Sequence, residues 1–122
     1  MNNSKDRKQV QGFPKVIRDL PEADIQILGM RGWILQSERT QLVFFEMEPI
    51  AVVPEHSHDY PQWGIVVEGK MRITIDGRAR LYEKGDEYVI PPHAKHSATF
   101  LTSSRVIDLF QEKARYKPQR SK

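Results

Sequence analysis

No stretch of this 122-residue chain sustains a helical period; short apolar and β-branched runs alternate with turn punctuation along most of its length. The runs predict strands at Ile25–Leu28, Gly32–Gln36, Gln41–Glu48, Trp63–Val67, Met71–Ile75, Ala79–Tyr82, Glu87–Ile90, Ser97–Leu101 and Val106–Phe110. Asp76-Gly77 predicts a two-residue hairpin, because a type I′ turn needs positive φ at both central positions. Lys84-Gly85-Asp86 reads as a second turn, and Pro91-Pro92 stops a strand because neither residue donates a ladder hydrogen bond. One helical turn is expected after Pro21, through Glu22-Ala23-Asp24. Many short strands at this spacing predict an all-β sandwich or barrel.

The length suits one domain with a modest core. With no cysteine, disulfides, thiolate metal sites and a cysteine nucleophile are excluded, and a reducing, cytoplasmic setting is expected. No apolar run reaches the roughly 18–20 residues of a membrane span, and the first twenty residues carry no apolar leader segment. The net charge of +3 is unevenly placed. Residues 1–12 hold Lys5, Arg7 and Lys8 against Asp6, and residues 112–122 hold five bases against Glu112. The body, 13–111, holds the other 11 bases and 14 acids and is therefore slightly acidic. The expected organisation is a loosely ordered basic N-terminal segment (1–12), a β-barrel (13–111) and a basic C-terminal tail (112–122). Nothing resembles a DNA-reading helix-turn-helix or zinc finger, so a nucleic-acid partner is not expected.

Four histidines remain to be explained: His56, His58, His93 and His96. His56 and His58 are spaced i, i+2, which on a strand places both imidazoles on one face, where they could chelate a metal. The surrounding stretches, His56-Ser57-His58-Asp59-Tyr60-Pro61-Gln62 running on to Gly69, and Gly85 through Pro91 to His96, resemble the two motifs of the cupin family. Gln62 stands at the motif's Glu position; His93 and Phe100 replace its Gly and Asn in the second motif. The resemblance implies a single conserved cupin β-barrel (a jelly roll, or double-stranded β-helix). In it His56, His58, Gln62 and His96 would converge on one divalent metal ion: Zn, Ni, Fe, Co or Mn. His93 would either line the pocket or sit in its loop, the latter being favoured.

A carboxylate ligand helps stabilise a higher oxidation state; the neutral amide of Gln62 leaves the full +2 of a metal for substrate and water. That favours Lewis-acid work, such as polarising a carbonyl, over oxygen activation. Gly64 shares the parity of Gln62 and would leave space beside the metal, or simply pack; Trp63 faces the other way, toward core or interface. Tyr60 lies between ligand positions and could border the pocket mouth. On the last strand, Asp108 is a carboxylate among apolar residues, placed there for function or pointing to solvent.

The three-His, one-Gln set and the Asp-X-Phe of that strand resemble small cupins of pectin degradation that linearise unsaturated uronates. Carried over by position, Asp108 would be the catalytic acid or base, Phe110 would shape the substrate site, and Arg115 would pair with a substrate carboxylate. The spacing from His58 to Gln62 is one residue shorter than in that group. The function expected is metal-dependent isomerisation or tautomerisation of a small carbonyl or sugar-acid substrate. Alternatives are a metal-dependent dioxygenase or lyase, and a non-catalytic small-molecule-binding cupin. Small cupins commonly pair, which implies a homodimer. The run Leu42-Val43-Phe44-Phe45 fits that, or burial of both strand faces within one barrel. Either Leu42, Phe44, Glu46 and Glu48 or Val43, Phe45 and Met47 face inward.

Overall fold

The computed structural model describes residues 12–120. A four-residue helix α1 (Lys15–Arg18) precedes nine strands. These are β1 (Met30–Gln36), β2 (Gln41–Met47), β3 (Val52–His56), β4 (Gln62–Glu68), β5 (Lys70–Ile75), β6 (Arg78–Glu83), β7 (Glu87–Ile90), β8 (His96–Phe100) and β9 (Ser104–Phe110). They form two antiparallel sheets, ordered β1-β2-β9-β4-β7 and β3-β8-β5-β6, packed face to face as a jelly roll. No described helix is long and apolar enough to cross a membrane.

The turn chemistry behaves as its residues dictate. Asp76 and Gly77 both take positive φ, and Ile75 pairs with Arg78 across them. Gly85 is likewise left-handed between β6 and β7, and β7 ends at Ile90, before the two prolines.

Three local expectations are corrected. Ile25–Leu28 is not a strand: Ile25 and Ile27 pack against the core from an irregular approach that Gly29, at φ 82°, turns into β1. The helical turn lies at Lys15–Arg18 rather than after Pro21; Glu22 and Ala23 instead bridge to Trp33 and Pro118. β3 is an additional strand, and Pro54 conceals it. A proline is tolerated there because β3 is a sheet edge, with an irregular register between Val53 and His56.

The apolar run of β2 is buried on both faces. Val43, Phe45 and Met47 point between the sheets, while Phe44 joins Trp33 and Phe13 on the outside. Ile17 and Leu20 also pack against this outer cluster, so the N-terminal stretch from Phe13 covers one part of the sheet. Glu46 anchors it by accepting from the Phe13 amide at 2.7 Å and pairing with Arg18 at 2.7 Å.

Residues 1–11 of the expected N-terminal segment lie outside the described residues. The C-terminal segment, expected as a loose tail, is docked over 112–120. The buried amide of Gln41 donates to the Tyr116 carbonyl and accepts from the Tyr116 amide, both at 2.9 Å. Asp24 and Glu22 bond the main chain at Lys117 and Gln119. Tyr116 also meets Phe45 and Phe110 edge-on. The docking overrides the polar composition because one aromatic ring and one buried amide give the segment specific partners. Gln41→Ala should therefore cost about 1–3 kcal/mol in chemical denaturation. It should also speed hydrogen exchange at the Tyr116 amide; unchanged exchange would show that the clamp does not hold the segment.

Candidate metal centre

Three imidazoles converge inside one end of the barrel. His56 is the last residue of β3, His58 lies two residues beyond it in the loop to β4, and His96 opens β8 opposite His56. The pair is thus not carried by one strand, as its spacing suggested; the chain leaves the sheet after His56 and brings His58 around. One ligand atom from each of the three lies within 4.8 Å of the other two. Each ring is oriented from behind. Nδ1 of His56 donates to the Pro54 carbonyl, that of His58 to Tyr60 and that of His96 to Ala94, at 2.8–2.9 Å. A carbonyl can only accept, so each Nδ1 carries the proton and each Nε2 presents a lone pair.

Gln62, the first residue of β4, completes the group. Its Nε2 donates to Asp108 Oδ2 at 2.9 Å, which turns its Oε1 toward His58 Nε2, 3.0 Å away. Two acceptors therefore face one another, and the buried His96 Nε2 has no partner at all. Such lone pairs call for a shared cation, so the residues fit a divalent metal with nitrogen and oxygen preferences.

Asp108 is buried, which excludes the solvent-facing alternative. Its Oδ1 accepts from the Tyr88 hydroxyl at 2.5 Å. Gly64 lies between the two on β4, paired with Tyr88 on one side and Asp108 on the other. A Cβ there would collide with both side chains, so the space Gly64 leaves is filled by the Tyr88–Asp108 contact rather than left open beside the metal position. Tyr88 was not singled out by sequence; the usable signal was a tyrosine whose cross-strand neighbour is a glycine of inward parity.

A chamber of about 60 Å³ runs from this group between the sheets and opens to solvent. His56, Gln62, His96, Asp108, Phe110 and Arg115 line its polar end; Met30, Met47, Met71, Phe45, Phe100 and Val106 line the rest. Arg115 lies over Phe110 and Tyr116, with Nη2 3.4 Å from His56 Nε2. Tyr60 stacks flat on His58 at 4.2 Å. His93 is exposed in the turn after Pro92, at φ 71°, a conformation that explains why a glycine suits that motif position.

Burial raises the Asp108 carboxyl to about 7, against the opposing hydrogen bonds from Tyr88 and Gln62. Burial lowers His96 to about 4 and His56 in the same direction, with the Arg115 charge adding to both. In metal-free protein these groups oppose each other. Between pH 3.8 and about 7 the folded state keeps an Asp108 proton that the unfolded chain has released, so this group's stabilisation fades as pH rises. Between pH 6.5 and about 4 the unfolded chain takes up a His96 proton that the folded state refuses, so stability falls as pH drops. Asp108→Asn removes the first effect. Its metal-free form should lose stability on acidification from pH 6.5 to 4 more steeply than the parent in urea titrations; parallel curves would count against the raised carboxyl.

Among known proteins, the family description "Cupin domain" matches residues 43–110. No curated protein matches the chain. The structure is similar to an RmlC-like cupin from Shewanella frigidimarina, with 28% identity, 80% of this chain and 87% of that one covered, and a TM-score of 0.72. It is also similar to KdgF from Halomonas sp., with 29% identity, 85% and 91% coverage and a TM-score of 0.69. An oxalate decarboxylase from Lactobacillus farciminis shares the fold at 19% identity, 79% and 32% coverage and a TM-score of 0.66. The family match runs from β2 to the end of β9 and so takes in all four converging side chains, which makes this chain a member of the cupin family.

Proposed function

We propose that this cupin is a divalent-metal enzyme that isomerises or tautomerises a small carbonyl compound bearing an acid group, a uronate-type sugar acid being the leading candidate. The observation that carries the reading is the neutral Gln62 oxygen turned to the three imidazoles, with the Asp108 carboxyl one hydrogen bond behind it at the chamber wall. His56, His58, His96 and Gln62 would hold the metal, which supplies Lewis acidity toward a carbonyl oxygen. Asp108, with a carboxyl raised to about 7, would take a proton from substrate carbon or oxygen and return it near neutral pH. Arg115, steadied by the Phe110 and Tyr116 rings, would receive the acid group with its guanidinium. Phe110 would shape the bound substrate, and Tyr60, flat against His58, would border the mouth. The apolar walls beyond keep water from the reacting atoms. Similarity to KdgF and the sequence resemblance to pectin-degradation cupins support the uronate choice.

Metal-loaded protein should open 4,5-unsaturated galacturonate, followed as loss of ring-form NMR signals, and chelation should abolish turnover. Asp108→Asn should slow it by about 10²–10⁴-fold, and His56→Ala should lose the metal. An undiminished Asp108→Asn rate would remove the proton role; turnover indifferent to chelator would remove the metal.

The same reading includes a homodimer, in the cytoplasmic setting that a cysteine-free chain suits. Its candidate face is one cross-strand row on the outside of the five-stranded sheet: Leu35, Leu42, Leu109, Trp63 and Val89. Leu35 and Val89 are 48% and 63% exposed, and no charge interrupts the row. A row of this kind, one residue from each strand, is where a second sheet would pack. Light scattering should give twice the 14.2 kDa chain mass, and Trp63→Arg should halve it; a parent protein already of single-chain mass would rule the dimer out.

A further inference from the structure

We propose that Tyr88 is a positioning residue for the metal centre: through Asp108 it fixes which end of the Gln62 amide faces the three imidazoles. The inference rests on the reading that these side chains bind a divalent metal, and it assigns to the centre a residue two contacts removed from it.

An amide side chain has two ends of nearly equal shape and opposite hydrogen-bonding character. Only its oxygen can ligate a cation; a flipped Gln62 would point an NH2 group at His58 Nε2 and present no ligand. Something must therefore choose the rotamer. The choice is made by Asp108, whose Oδ2 accepts from Gln62 Nε2 at 2.9 Å and leaves Oε1 facing His58. Asp108 must itself be held, because a carboxyl can rotate about its own axis and release the amide. Its other oxygen is pinned by the Tyr88 hydroxyl at 2.5 Å. Tyr88 is rigid in turn: it is buried and packs edge-on against Tyr82.

Three adjacent strands set up this chain of contacts. Gly64 on β4 pairs with Tyr88 on β7 and with Asp108 on β9, and its missing side chain is what lets the other two meet. Gln62 lies two residues along β4, on the same face, within reach of Asp108. No other side-chain hydrogen bond holds the Tyr88 hydroxyl or the Asp108 oxygens among the described residues. The hydroxyl of this tyrosine thus acts on the site only by holding Asp108, and through Asp108 it reaches the amide. Outer-contact residues of this kind alter metal affinity by about 10–100-fold when removed.

The test uses Co(II), whose visible absorption reports on its ligands, and a competing chromophoric chelator for affinity. Tyr88→Phe keeps the ring and its packing and removes only the hydroxyl. It should weaken Co(II) binding by about tenfold or more and change the visible spectrum, with the far-ultraviolet circular dichroism of the parent retained. Tyr82→Phe, which removes a hydroxyl from the adjacent ring outside the chain of contacts, should leave affinity and spectrum as they are. Co(II) binding within twofold of the parent and an unaltered spectrum in Tyr88→Phe would overturn the positioning role while leaving the metal site intact. Equal losses in both variants would also overturn it, by showing a packing effect. A parent protein that takes up no Co(II) would overturn the metal reading and this inference together. Should Tyr88→Phe fail to fold, Tyr88→Met fills the site without any donor, and a folded Tyr88→Met with parental affinity and spectrum would equally end the proposal.

Discussion

A carboxyl group in a dry interior costs several kcal/mol unless donors meet it, and much of this barrel is arranged to meet one. Asp108 sits on a central strand with apolar neighbours on either side and no ion pair among the described residues. It is answered by Gln62 from one adjoining strand and Tyr88 from the next. Those two bonds require β4, β7 and β9 to hold a single register, since a one-residue slip of any of them would send its own side chain to the outer face. They also require that position 64 have no side chain. A stable, satisfied Asp108 and a correctly oriented Gln62 are therefore one structural condition, so that mutations which loosen the register would reach the candidate site first.

The site's charge looks different once this contact is seen. From sequence, glutamine in place of glutamate reads as the loss of a negative ligand. In space the carboxylate is displaced by one hydrogen bond: the amide oxygen faces His58 and the amide donates one N–H back to Asp108. A carboxylate behind a ligand increases that ligand's basicity without touching the ion. The first contact stays neutral, as Lewis-acid chemistry wants, while the field of the acid is still felt. The raised carboxyl of Asp108 fits this shared duty, since a group near its own midpoint can hold or give up a proton at modest cost.

The resemblance to the two cupin motifs made the candidate ligand positions legible, because the motifs carry all four and each is local in the chain. Asp108 was half legible: a lone carboxylate in an apolar strand needs an explanation, but alternation alone left it free to face the interior or solvent. The turns were legible because positive φ narrows the choice of residue at Asp76-Gly77 and Gly85. What escaped was set by tertiary partners. β3 was hidden by Pro54, which only an edge strand can accept. Ile25–Leu28 has strand-like residues but no strand to pair with, and Lys15–Arg18 is helical with little propensity to recommend it, held by Phe13, Trp33 and Phe44 packing. Tyr88 could be found only after the register that puts it beside Gly64 was known.

The docked C-terminal segment shows how composition can mislead about position. Its positive charge suggested a solvated end, yet Arg115 is aimed at the imidazoles because Gln41 grips the neighbouring Tyr116 backbone on both sides. A guanidinium at that place has an electrostatic effect before any ligand arrives. It opposes protonation of His56 and His96, which burial already disfavours, and so keeps both imidazoles neutral. The same positive charge, with no carboxylate among the described residues paired to it, is left to attract an anion into the mouth. The clamp at Gln41 thus links a buried amide on β2 to both requirements of the candidate site: neutral imidazoles facing inward and an open cation facing the substrate.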